Sequence, residues 1–160
     1  MKVLGIDPGL AITGYGLVEG NGELSLLACG VINTSGTDPL PTRLRKLYEE
    51  LKSLVEKFCP DAVAVEELFF CRNVRTAIAV GQARGVALLA VAEAQVPLFE
   101  YTPLQVKQAL TGYGRADKKQ IQNMVSLLLG LKAPPKPDDV ADAVAVAICH
   151  IHHSKMAALI

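Results

Sequence analysis

The chain is poor in the features that mark several functional classes. No apolar run approaches the ~18 residues of a membrane span; the longest, Val86 to Ala92 and Ala143 to Cys149, have seven residues each. The N-terminal MKVLGIDPG lacks the extended apolar core and small-residue cleavage site of a secretory signal. Four cysteines, Cys29, Cys59, Cys71 and Cys149, form no CxxC pair. That spacing argues against a zinc or disulfide site and for free thiols in a reducing compartment, so the expected location is cytoplasmic. Net charge is absent too, 16 basic residues against 16 acidic. There is no internal repeat and nothing marks a second domain, so residues 1–160 are expected to form one domain, with Ala133-Pro134-Pro135-Lys136-Pro137 as a stiff connector within it. At 51% hydrophobic and 20% charged residues the chain is neither disordered nor fibrous. A chain of this length buries roughly 70% of its unfolded surface and needs no covalent staple.

The neutral total conceals an uneven distribution. From Lys107 to Lys136 the chain carries Lys107, Arg115, Lys118, Lys119, Lys132 and Lys136 against Asp117 alone, and Arg72, Arg75 and Arg84 form a second basic stretch. The acids include adjacent pairs, Glu66–Glu67 and Asp138–Asp139. This pattern suits a basic surface around an acidic centre.

Strands are expected at Lys2–Ile6, Thr13–Val18 and Leu24–Ile32, the last two joined by the hairpin signal Gly20-Asn21-Gly22. Asn33 to Pro41 reads as loop. Apolar residues at helical spacing from Arg43 to Phe58 predict a helix ending before Pro60. A strand at Ala62–Val65, a helix near Val74–Ala94 and a strand at Leu98–Tyr101 follow. Thr102-Pro103-Leu104-Gln105 is a capped helix start. Asp117 caps the next helix, which carries Met124 and Leu127 to Leu129. The last helix begins near Asp138 and runs beyond His150. Three antiparallel strands followed by alternating helix and strand predict an α/β fold with a five-stranded mixed sheet flanked by helices.

Two apolar strands end in acids, Asp7 and Glu66, and ligand sites gather at the carboxyl ends of strands in open α/β sheets. Strand alternation sends Glu66 and Glu67 to opposite faces, so one of the pair can serve. In the Ala-rich last helix Asp139 and Asp142 share a face, and an ionised aspartate in so apolar a helix needs a partner or a metal. An acid in a first helical turn also stabilises the helix dipole, which accounts for Asp138 or Asp139 better than for Asp142. Four converging carboxylates raise one another's pKa. A hard divalent cation, Mg²⁺ or Mn²⁺, is their natural counter-charge, and such a site suits two-metal phosphodiester hydrolysis. Lys107, Lys118 and Lys119, beside the Gly112-Tyr113-Gly114 turn, can hold phosphates.

Gly5-Ile6-Asp7-Pro8-Gly9 with Thr13-Gly14-Tyr15-Gly16, Glu66 followed by Phe69, Gly81-Gln82-Ala83-Arg84-Gly85, Val106-Lys107-Gln108 and Asp139-x-x-Asp142-Ala143 together resemble the RuvC family of bacterial Holliday-junction resolvases, in order and over nearly the whole chain. The resemblance implies a ribonuclease H-like fold and a homodimer that cuts two opposing strands of a four-way DNA junction, leaving 5′-phosphate and 3′-hydroxyl ends. It implies Asp7, Glu66, Asp139 and Asp142 as catalytic acids holding two Mg²⁺ ions, which Mn²⁺ can replace, with the family spacing selecting Asp139 over Asp138. It implies Lys107 and Lys118 as basic active-site residues and Phe69 as a residue reaching unpaired bases near the junction centre. Arg72, Arg75, Arg115 and Lys119 complete the expected DNA contacts, and the RuvA–RuvB branch-migration complex is the expected protein partner. The family also places a dimer contact on the helix bearing Gly81 and Gly85, which close packing on its own sheet would equally explain. His150, His152 and His153 read as imidazoles favourable near a helix C-terminus rather than as metal ligands.

Two rivals remain at this level. One is a nuclease-fold protein that binds branched nucleic acid without cutting it. The other is an actin-like ATPase, since Asp7-Pro8-Gly9 before a hairpin resembles that phosphate loop; such enzymes need a second comparable domain, for which 160 residues without a repeat leave no room.

Overall fold

A computed structural model describes residues 1–67 and 73–158. Its elements are β1 (Lys2–Asp7), β2 (Ile12–Asn21), β3 (Glu23–Asn33), α1 (Leu40–Phe58), β4 (Ala62–Glu66), α2 (Val74–Glu93), β5 (Leu98–Tyr101), α3 (Pro103–Thr111), α4 (Lys118–Leu128) and α5 (Asp138–Ala157). The sheet order is β3-β2-β1-β4-β5. β1 to β3 form an antiparallel meander, and β4 and β5 run parallel to β1. This is the five-stranded mixed sheet of the ribonuclease H-like class. Gly22, at φ +101°, closes the β2–β3 hairpin in a conformation that side chains resist. The capping boxes at Thr102/Gln105 and Asp117/Gln120 both form. Helix α1 starts at Leu40, three residues before the expected Arg43, because proline is compatible with a first helical turn, where its missing N–H has no partner to lose.

The period-2 alternation of β1 divides its side chains between two cores. Leu4 and Ile6 join Leu47, Leu51, Ala83 and Ala87 under α1 and α2. Val3 faces the opposite core, with Val140, Val144 and Ile148 of α5 and residues of α3 and α4. Helix α5 lies close on the sheet because β1 and β2 present glycines to it. A Cβ on Gly5 would stand 1.8 Å from the Ala143 carbonyl oxygen, and one on Gly14 would stand 2.1 Å from that of Asp139. Gly16 and Gly20 continue the line toward Val144 and Ile151. The sheet therefore leaves room for an Ala- and Val-rich helix buried from Val140 to Ile151, with Asp142 its half-buried exception. This close packing sets the acids at the start of α5 beside the ends of β1 and β4.

Helix α2 is different. Its buried residues are Ala83, Ala87, Ala90 and Val91, while Val74, Ile78 and Leu89 are more than half exposed. Cβ atoms on Gly81 or Gly85 would meet nothing within 4 Å. Packing on its own sheet does not explain these glycines. By length and composition α2 is apolar enough to cross a membrane, yet only 22% of that stretch is buried. Its outer face is apolar without a described partner.

Candidate active site

Asp7 ends β1 and Glu66 ends β4, and the preceding residues of the two strands pair from Val3/Ala62 to Ile6/Val65. Asp142 follows in the first turns of α5, which Gly5 and Gly14 allow to approach. Two adjoining clefts of about 190 Å³ each share Glu66 and Pro103. One is lined by Asp7, Glu66, Glu67 and Arg84, the other by Glu66, Lys107, Lys118 and Asp142. Asp139 lines a neighbouring groove with Gly9 and Arg75. Asp7, Glu66 and Asp142 thus lie along one trough at the carboxyl ends of β1 and β4, with Asp139 in the groove beside it.

The electrostatics reflect that crowding. Burial, then repulsion from Asp142, Asp139 and Glu66, pushes the Asp7 carboxyl up to about 7, with Lys118 opposing. Burial and then Asp142 raise Glu66 against Lys107 and Lys118. Burial raises Asp142 despite its lysine partner. Lys118 Nζ donates to Asp142 Oδ2 at 3.3 Å and pairs with Asp138 Oδ2 at 3.2 Å. No basic residue is close to these acids in strand one or the last helix, but the fold supplies one from α4.

Asp138 and Asp139 separate in space. The Asp138 carboxylate accepts from Lys118 and from Gln122 Nε2, contacts that hold it below the usual carboxylate range. It turns toward α4, whereas Asp139 is close enough to raise Asp7. Glu66 and Glu67 do not separate as alternation suggests. β4 ends at Glu66, so the pleat no longer governs the next side chain, and both line the same cleft. The Glu67 amide donates to the Tyr101 carbonyl at 2.7 Å.

The donor set fits a hard divalent cation in chemistry and charge, being all oxygen and rich in negative charge that burial makes costly. Among the described residues, no three His, Cys, Asp or Glu side chains form a ready-made ion site, and Lys118 holds the Asp142 end of the trough.

Lys107 is half-buried in the second cleft. Arg115 and Lys119 are exposed near it in sequence and line neither cleft. Phe69 and Arg72 lie outside the described residues. Arg84, grouped with the basic stretch by sequence, is instead an internal strut: one Nη donates to the Glu66 carbonyl and the other pairs with Glu100 Oε1 at 2.7 Å. It fixes the end of β4 from α2, a role that becomes visible only when β4, β5 and α2 are assembled.

The histidines are spent inside the fold. Burial, then His153, lowers the His150 imidazole from its usual range, and its Nδ1 shares a hydrogen bond with the Tyr101 hydroxyl at 2.7 Å. His152 and His153 donate through Nδ1 to the Ala109 and Cys149 carbonyls, both at 2.9 Å.

Comparison with known proteins agrees with this geometry. The family model described as "Crossover junction endodeoxyribonuclease RuvC" matches residues 3–150. The protein of that name from Ruminiclostridium cellulolyticum is 56% identical over 162 residues, spanning 100% of this chain and 97% of the relative. The solved structure of Thermus thermophilus RuvC superposes with a TM-score of 0.91 at 43% identity, covering 98% of this chain and 97% of that one. The T. thermophilus protein in complex with a Holliday junction substrate gives 0.90 at 40% identity, covering 98% and 96%. A match that spans the glycine-floored sheet, the strand-end acids and the final helix together shows that the chain belongs to the crossover junction endodeoxyribonuclease RuvC family.

Proposed function

We propose that this chain cuts four-way DNA junctions as a symmetric homodimer, hydrolysing one phosphodiester in each of two opposing strands. The observation that carries the proposal is the trough in which Asp7, Glu66 and Asp142 lie at the strand ends beside Lys107 and Lys118, with Asp139 in the adjoining groove. In this reading Asp7, Glu66, Asp139 and Asp142 hold two Mg²⁺ ions, for which Mn²⁺ can substitute. Bound there, the ions supply an activated water and neutralise charge on the departing 3′ oxygen. The protein's own groups do the rest. The buried strand ends keep the carboxylates in place. Lys107 and Lys118 hold non-bridging phosphate oxygens as point charges, and Lys118 exchanges its Asp142 contact for the phosphate when substrate enters. Phe69, Arg72, Arg75, Arg115 and Lys119 bind the arms and centre of the junction.

The dimer surface in this reading is the outer face of α2, where Val74, Ile78 and Leu89 are exposed and Gly81 and Gly85 permit a second α2 to cross closely. Two-fold symmetry then directs one acid trough to each of two junction strands. The product ends are 5′-phosphate and 3′-hydroxyl, ready for ligation. The proposed setting is the cytoplasm, alongside the RuvA–RuvB branch-migration complex.

Substitution of the acids tests the proposal. Asp7→Asn, Glu66→Gln, Asp139→Asn and Asp142→Asn each remove a charge without removing the arms' basic contacts. Each is expected to bind a synthetic junction within severalfold of wild type while incision falls by at least about a hundredfold. Junction binding by an uncut wild-type complex, with no effect of these substitutions, points to the non-cutting binding protein.

A further inference from the structure

A third cleft, of about 540 Å³, opens beside the trough between the β1–β2 turn and the starts of α1, α2 and α5. Asp139 lines it, so it is continuous with the acids, and Arg43 and Arg75 face it across an apolar floor that includes Ile12 and Val80. Arg43 is tethered to the loop that borders this cleft. Its Nε donates to Thr34 Oγ1 at 2.9 Å, while that hydroxyl donates to the Leu10 carbonyl and the Thr34 amide donates to the Ala11 carbonyl at 3.0 Å. The guanidinium is thus anchored to the loop bordering the site by one nitrogen, and its two terminal nitrogens have no hydrogen-bond or carboxylate partner among the described residues. The contrast on the same helix is sharp: Arg45 pairs with Glu49 and Lys46 with Glu50, each four residues on. At that spacing Arg43 meets the buried Leu47.

A half-buried, pre-oriented guanidinium whose two terminal nitrogens are unpartnered among the described residues is a receptor for a phosphate, and the apolar floor suits a deoxyribose or an unstacked base. We infer that this cleft is a nucleotide subsite: it holds the residue of the cleaved strand adjoining the scissile phosphate, with the flanking phosphodiester on Arg43 and the sugar and base against Ile12 and Val80. The inference rests on the nuclease reading, and it assigns to Arg43 the positioning of the strand across Asp139.

The test is a phosphate-by-phosphate interference cycle. Single neutral methylphosphonates are placed at each linkage flanking the cut site of a synthetic junction, and binding is measured without divalent ions so that nothing is cut. For wild type, one flanking position is expected to weaken binding by about tenfold. Arg43→Gln carries that loss already and is insensitive at the same position, with its salt-dependence slope lower by about 1. Arg43→Lys, which keeps the charge, recovers the slope. Arg45→Gln serves as control and remains as sensitive as wild type, and thermal melting verifies that each variant is folded. Additive losses for Arg43→Gln at every linkage, or unchanged binding by that variant, overturn the subsite while leaving the nuclease reading intact. Failure of wild type to bind the junction at all overturns both.

Discussion

At the scale of single residues, the site is defined by charge held where the fold resists it. Asp7 is the clearest case. An ordinary aspartate titrates near 3.8, and burial with three acid neighbours brings this one to about 7. The folded metal-free protein therefore binds a proton that the unfolded chain has released between those values, so stability falls as pH rises from about 4 through 7. Asp7→Asn removes the penalty. The metal-free variant is expected to gain about 2–4 kcal/mol at pH 8, with a melting temperature higher by roughly 5 °C or more, and the gain should shrink toward zero near pH 4. Differential scanning calorimetry at the two pH values checks it; a variant less stable than wild type at pH 8 would make Asp7 a structural acid. The strand-end acids were legible in the sequence because an apolar strand has few reasons to end in a carboxylate, as β1 does at Asp7 and β4 at Glu66. The Lys118–Asp142 contact was not, since it joins residues 24 apart in sequence through the docking of α4 on α5. The resolution of Asp138 from Asp139 depends on the same docking, through Lys118 and Gln122.

At the scale of elements, the periodicities of α1 and the strands, and the caps of α3 and α4, were all readable, because each is a local signal. What local patterns leave open is which face meets which neighbour. Gly5 and Gly14 read as parts of a motif, and assembly shows that their missing Cβ atoms are the seat of α5. Gly14→Ala is expected to cost about 1–3 kcal/mol and to displace the start of α5 with Asp139. Incision should then fall more than junction binding does. A variant that melts and cuts like wild type would mean that α5 is free to shift by the width of a methyl group. Arg84 illustrates the same limit: by sequence it counts as part of a basic stretch, yet its hydrogen bonds run inward to Glu66 and Glu100. Likewise Glu67 joins Glu66 in one cleft because the pleat stops where β4 stops.

At the scale of the molecule, one face of the sheet carries α5 and the acids, and the other carries α1 and α2, with an apolar stripe on α2 turned outward. A paired incision needs two troughs in fixed relation, and that stripe is the proposed means. Leu89 is 53% exposed and is not among the buried residues of α2, so Leu89→Arg spares the buried face of the helix. The variant is expected to be folded and monomeric at micromolar concentration by light scattering, under conditions where the proposal predicts a wild-type dimer, and to lose coordinated double incision. A dimer that persists in Leu89→Arg moves the interface elsewhere.

The most direct measurement is cleavage of a synthetic four-way DNA junction by the wild-type chain, with Mg²⁺ and without divalent ions, beside duplex and single-strand controls of the same sequence. The predicted result is a pair of symmetric nicks in opposing strands of the junction, only with the metal and not in the controls, with ends that ligase seals directly. Equal cutting of duplex and junction, or cutting without a divalent ion, would contradict the account.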